Sequence, residues 1–151
     1  MRADNDSAFM GQQQRSDLLA LSISVLENKT DYRGLEEDIG GAHPVAHLSD
    51  VLWRFTFHSD FDDAQARMVL SGIRSKIAPV SVSYAFNEGD RLARPVSILI
   101  RRQALQTEEI LSWLESFNSP FSMESWGNAF ASPEGMAELH DTKLFIRALS
   151  D

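Results

Sequence analysis

The chain has 151 residues, 43% of them hydrophobic, no cysteine and a net charge of −8. This length suits one domain with a core of its own, and the lack of cysteine excludes disulfides and Cys-ligated zinc or iron–sulfur centres. The acidic balance argues against a general phosphate-backbone binder, which gains affinity by displacing counterions with Lys and Arg.

No run approaches the roughly 18 apolar residues that span a bilayer, and the opening MRADNDSAFMGQQQR lacks the apolar stretch of a secretory signal. A cytoplasmic location is therefore expected. The charge is uneven: residues 62–102 carry seven Lys or Arg against four Asp or Glu, while both flanks are acidic.

Residues 1–13 are polar and read as a flexible N-terminus. Residues 14–50 follow as an N-terminal helix and loop. Ser16 offers an N-cap oxygen and Asp17 suits the positive helix end, ahead of Leu18, Leu19, Leu21, Val25 and Leu26. A short helical piece over Tyr32 to Ile39 and a loop at Gly40-Gly41 and His43-Pro44 come next.

From Val51 the spacing reads as period 2. Val51, Trp53, Phe55 and Phe57 alternate with Leu52, Arg54, Thr56 and His58, which predicts a strand with the first set buried. Ser59 or Asp60 caps a helix with Ala66, Val69, Leu70, Ile73 and Ile77 on one stripe, closed by Pro79. Val80, Val82, Tyr84 and Phe86 predict a second strand, and Asn87 to Arg91 a hairpin connection with Gly89 at its turn. Pro95 starts a third strand with Val96, Ile98 and Ile100 inward. Thr107 caps a helix buried through Ile110, Leu111, Leu114 and Phe117, and Phe121 to Phe130 returns as a fourth strand with Gly127 as a bulge. A C-terminal extension, residues 131–151, opens with Ser132 and Pro133 as helix start and ends in Thr142 to Leu149, which is either strand or helix.

The expected fold is therefore α+β: a ferredoxin-like β-α-β-β-α-β sandwich over residues 51–130, an antiparallel sheet with its helices on one face. On the open face, Arg54 and Arg101 join Glu124, Trp126, Asn128 and Phe130 if the fourth strand points that way, an aromatic and Arg composition suited to a partner surface.

No catalytic constellation stands out. His43 and His47 lack a third ligand at metal-site spacing, and neither a nucleophile elbow nor a phosphate loop is present, so no metal or cofactor is expected. The sheet aromatics lack the RNA-recognition motif, so direct nucleic-acid binding is not expected.

With Trp126-Gly127-Asn128-Ala129-Phe130 closing that strand order behind an N-terminal helix, the chain resembles the RraB family, regulators of ribonuclease activity. The resemblance implies a small bacterial non-catalytic inhibitor that binds ribonuclease E or another RNA-decay component. The alternatives are a ligand-sensing or immunity-type module of the same fold, and a small enzyme using His58 or His140 as base.

Overall fold

The computed structural model describes residues 9–32, 35–36, 40–41, 43–79 and 82–151. Its helices are α1 (Gln12–Asn28), α2 (Pro44–Phe55), α3 (Asp63–Arg74), α4 (Glu88–Arg101), α5 (Thr107–Glu115) and α6 (Pro133–Ser150), with 3-10 turns at Ser116–Asn118 and Trp126–Ala131. Among the described residues the only β pairing is a two-residue ladder, β1 (Leu35–Glu36) antiparallel to β2 (Gly40–Gly41). The fold is helical, and the expected ferredoxin-like sandwich is overturned.

The reason is clearest at residues 51–58, a window that fits both periods. Preceded by Pro44 at the first helical position, Val45, Ala46, Ser49, Leu52 and Phe55 share one side at the helical period, and all five are buried. Val51 and Phe57, read as inward strand residues, are 39% and 45% exposed. The Trp53 and Phe57 rings meet edge-on at 5.4 Å, four residues apart along the chain. Apolar residues on both sides of α2 mimic alternation.

The third expected strand lies within α4, where Leu92, Ala93, Val96 and Leu99 form the buried stripe and Ile100 is exposed. Asn87, in the left-handed region at φ 63°, turns the chain into this helix where a hairpin was expected. Pro95 sits inside α4, not at a strand start; lacking an N–H, it leaves the Arg91 carbonyl without its helical donor. Of the second expected strand, Val80 and Ser81 fall outside the described residues, and 82–86 has no regular structure. The fourth becomes an irregular stretch followed by the Trp126–Ala131 turn. The helical piece expected over Tyr32 to Ile39 is not helical where it is described: Tyr32 has no regular structure and Leu35–Glu36 is β1, while Arg33, Gly34 and residues 37–39 lie outside the described residues.

The other helices lie where the sequence places them but not always on the expected caps: Asp62, not Ser59 or Asp60, caps α3, and α5 begins at Thr107 with Gln106 ahead of it, its Leu111, expected inward, being 52% exposed. Asp62 caps α3 by accepting from Gln65 N at 2.8 Å, and Gln65 Oε1 accepts from Asp62 N at 3.2 Å. The stripe Ala66, Val69, Leu70, Ile73 and Ile77 is buried as expected. Helix α1 begins a turn before Ser16, whose hydroxyl instead accepts from Gln65 Nε2 at 3.0 Å. Helix α6 runs through the whole C-terminal segment and settles Thr142 to Leu149 as helix.

Helix α4 packs against α2, α3 and α6, and α1 packs against α2 and α3. No helix among the described residues is long and apolar enough to cross a membrane.

Paired substitutions separate the helical from the strand reading of residues 51–58. Leu52→Ala, at a fully buried site, should cost about 2–5 kcal/mol in urea unfolding, while Val51→Ala should cost less than about 1 kcal/mol. The strand reading requires the reverse order.

Candidate functional site

Ser132 caps α6 by accepting from Gly135 N at 3.0 Å, with Pro133 preset at the first helical position. Gly135 then lets the Trp126–Ala131 turn lie directly on the helix: a Cβ there would stand 2.7 Å from Ala129 O and 2.9 Å from Ala129 Cα. The other side of the turn is tied down by Trp126, whose Nε1 donates to Phe117 O at 3.0 Å.

Together α5, α6 and the turn enclose an open groove of about 1070 Å³. Its apolar lining is Ile100, Leu114, Phe117, Trp126, Phe130, Leu139, Ile146 and Leu149. Lys143 and Arg147, one helical turn apart on α6, supply its charge, and none of the described lining residues is Asp or Glu. Thr142, 5% exposed, also lines it, and its hydroxyl has no hydrogen-bond partner.

Behind the groove, the inward stripe of α6 is largely polar: Glu138, Asp141 and Thr142 are buried beside Phe145. Glu138 accepts from Phe121 N and Ser122 Oγ, which holds the irregular stretch 119–125. Asp141 accepts from Ser83 Oγ at 2.9 Å and from Tyr84 N at 3.1 and 3.2 Å. Burial pushes the Asp141 carboxyl up to about 6 against these hydrogen bonds, and the nearby Glu88 charge adds to the rise. Glu88, also buried, accepts from Phe86 N at 2.9 Å and lies 3.4 Å from His43 Nδ1. Tyr84 donates its hydroxyl to Lys76 O at 2.7 Å, and Lys76 Nζ donates to Lys29 O and to Tyr32 Oη. This chain of polar contacts runs from the end of α1 to the middle of α6.

Of the six residues expected at a partner surface, Trp126 and Phe130 line the groove, from a 3-10 turn instead of a strand. Arg101 follows the lining residue Ile100 but is not itself in the lining. Arg54 stacks on Trp53, its guanidinium carbon 4.5 Å from the ring centre. Asn128 accepts from Ser125 Oγ, and Glu124 is exposed; neither joins the groove.

The basic middle of the chain is mostly engaged in the fold. Arg91 pairs with Asp50, Arg94 lies 3.5 Å from Asp50 Oδ1, and Arg102 donates to the Thr56 and His58 carbonyls beyond the end of α2.

The histidines do not form a cluster. His58 is buried, its Nδ1 accepts from Asp60 N at 3.2 Å, and the space beside it is about 10 Å³. His47 and His140 are exposed, and His43 meets Phe86 edge-on at 5.2 Å. Among the described residues no three His, Cys, Asp or Glu side chains gather as a metal site.

Sequence reading missed the α6 half of the groove. Its signal is present once Pro133–Ser150 is taken as one helix: Leu139, Lys143, Ile146 and Ser150 recur at three- and four-residue spacing.

One protein-family model, described as a protein of unknown function (DUF2785), matches residues 1–150. No curated protein and no solved structure matches the chain.

Two substitutions test this architecture. Gly135→Ala should destabilise by about 1–3 kcal/mol in urea unfolding and raise the solvent exposure of Trp126 in fluorescence quenching, since the turn must lift off α6. The folded chain holds the Asp141 proton more tightly than the unfolded chain does. Its contribution to stability is therefore complete below the ordinary value of 3.8 and is lost as pH rises through about 6. Relative to Asp141→Asn, the unmodified chain should lose stability across that interval, by on the order of 1–2 kcal/mol after solvent screening; parallel stability profiles would remove the assignment.

Proposed function

The chain belongs to the DUF2785 family, and because that description assigns no activity, we propose its role from the groove itself. The domain acts by contact, not by catalysis, and its occupant is an acidic amphipathic helix of a partner protein. The supporting observation is one of contrast: on a chain of net charge −8, the groove combines an apolar floor with Lys143 and Arg147 as the charges of its described lining.

That composition selects by two terms. An amphipathic helix buries apolar side chains at three- and four-residue spacing against Trp126, Phe130 and Ile146. Carboxylates on its flank meet Lys143 and Arg147, while the acidic remainder of the domain repels other acidic surfaces and disfavours misplaced docking. Phe130, 72% exposed on a turn held in place by Gly135 and Trp126, has the placement of an interface anchor.

The expectation of a protein partner thus continues in a new form. The strand order on which the resemblance to RraB stood is absent among the described residues, and Trp126 to Phe130 forms a turn, so the partner is defined here by its chemistry and not as ribonuclease E.

A labelled Leu/Glu amphipathic peptide should bind the domain, with affinity falling as salt rises, and its Leu/Lys counterpart should not. Phe130→Ala should weaken binding by about tenfold with a stability change within about 0.5 kcal/mol. The Lys143→Glu, Arg147→Glu double variant should reverse the preference between the peptides. Binding of dodecanoate but of neither peptide would overturn the helix reading.

A further inference from the structure

Arg74, the last residue of α3, is half-buried with its guanidinium against two aromatic rings. Its guanidinium carbon lies 4.3 Å from the centre of the Phe117 ring and 3.5 Å from that of Phe121. Nε donates to Ser116 Oγ at 3.1 Å and Nη2 to Ser116 O at 3.2 Å, so both hydrogen-bond partners are neutral. Nη1 has no acceptor at all. Burial lowers the pKa of the group, and the charge of Glu138 opposes that shift without forming an ion pair with it. Glu138 is already accepting from Phe121 N and Ser122 Oγ.

A second donor is unfilled nearby. Trp113 Nε1 is enclosed without an acceptor, and Trp113 and Arg74 line the same cavity, of about 500 Å³, together with Leu70, Leu105 and Phe121. Buried donors normally find a partner, and an arginine beside aromatic walls is a carboxylate-recognising group. The charges of the lining set the valence of the guest. Arg67 is paired with Glu109 by two hydrogen bonds of 2.7 and 3.0 Å, which leaves Arg74 as the uncompensated charge and a monoanion as its match.

We propose that this cavity is a binding site for a small aromatic monocarboxylate, whose carboxylate accepts from Arg74 Nη1 and Trp113 Nε1 while its ring lies between Leu70 and Leu105. The volume is that of a small-molecule site. The Phe121 ring, 3.5 Å from the Arg74 guanidinium carbon and 40% exposed, is the side chain that turns aside to let the carboxylate reach Nη1. The site stands on different residues from those that recognise a partner in the groove, and neither reading depends on the other.

Phenylacetate serves as the probe, with phenylacetamide and phenethylamine as its neutral and cationic analogues. In proton–nitrogen correlation spectra phenylacetate should shift the Trp113 indole resonance saturably and leave that of Trp53 in place. Calorimetry should show both analogues, and Arg74→Gln, weaker than the phenylacetate complex by about tenfold or more. Where Arg74→Gln lowers the melting temperature, Trp113→Phe, which keeps a ring and removes the donor, should still weaken phenylacetate by about fivefold. The absence of a saturable shift below about 10 mM, equal affinity for phenylacetamide, or unchanged affinity in a folded Arg74→Gln or Trp113→Phe variant would each overturn the proposal.

Discussion

Backbone amides outside helices need acceptors, and in this domain two irregular stretches obtain them from the same helix. Glu138 takes the amide of Phe121 and Asp141 that of Tyr84, from positions three residues apart on the buried side of α6. An unpaired buried amide costs on the order of 1–3 kcal/mol, so these carboxylates fix where the two stretches can lie. Helix α6 is consequently held inward by polar contacts beside one large apolar side chain, Phe145, while the partly buried Leu139, Ile146 and Leu149 line the groove. The groove owes its shape to that partial inversion of the usual pattern.

The inversion also explains what was hidden in the sequence. A helix that buries Glu138, Asp141 and Thr142 has little of the one-sided hydrophobic pattern by which amphipathic helices are recognised, so α6 reads as a short helix followed by an ambiguous apolar segment. At Val51 to His58 the difficulty is the opposite: apolar residues occupy both sides of α2, and a short window of them alternates by coincidence. Pro44 and the buried positions Val45, Ala46 and Ser49 carry the deciding information, outside that window. Pro95 misleads for a third reason, since a proline within a helix is uncommon enough to read as a strand start.

Local signals with a direct chemical cause were legible. The Ser132-Pro133 start and the stripe from Ala66 to Ile77 each reflect contacts made within a few residues or by one helix face. Trp126 and Phe130 stand out by composition and do share a surface, whereas Arg54 and Arg101 join them only on a four-stranded sheet that the described residues do not form. Distant pairings, such as Asp50 with Arg91 or Arg74 with Phe117 and Phe121, require the fold before they can be seen.

Gly135 separates two kinds of evolvability in this architecture. Because that single glycine sets the height of the Trp126–Ala131 turn above α6, the exposed positions Phe130, Lys143 and Arg147 are free to vary in size and sign without disturbing the interior. A lineage that keeps the glycine and the inward acids can exchange one docking preference for another by surface changes alone, so specificity can diversify on an unaltered scaffold.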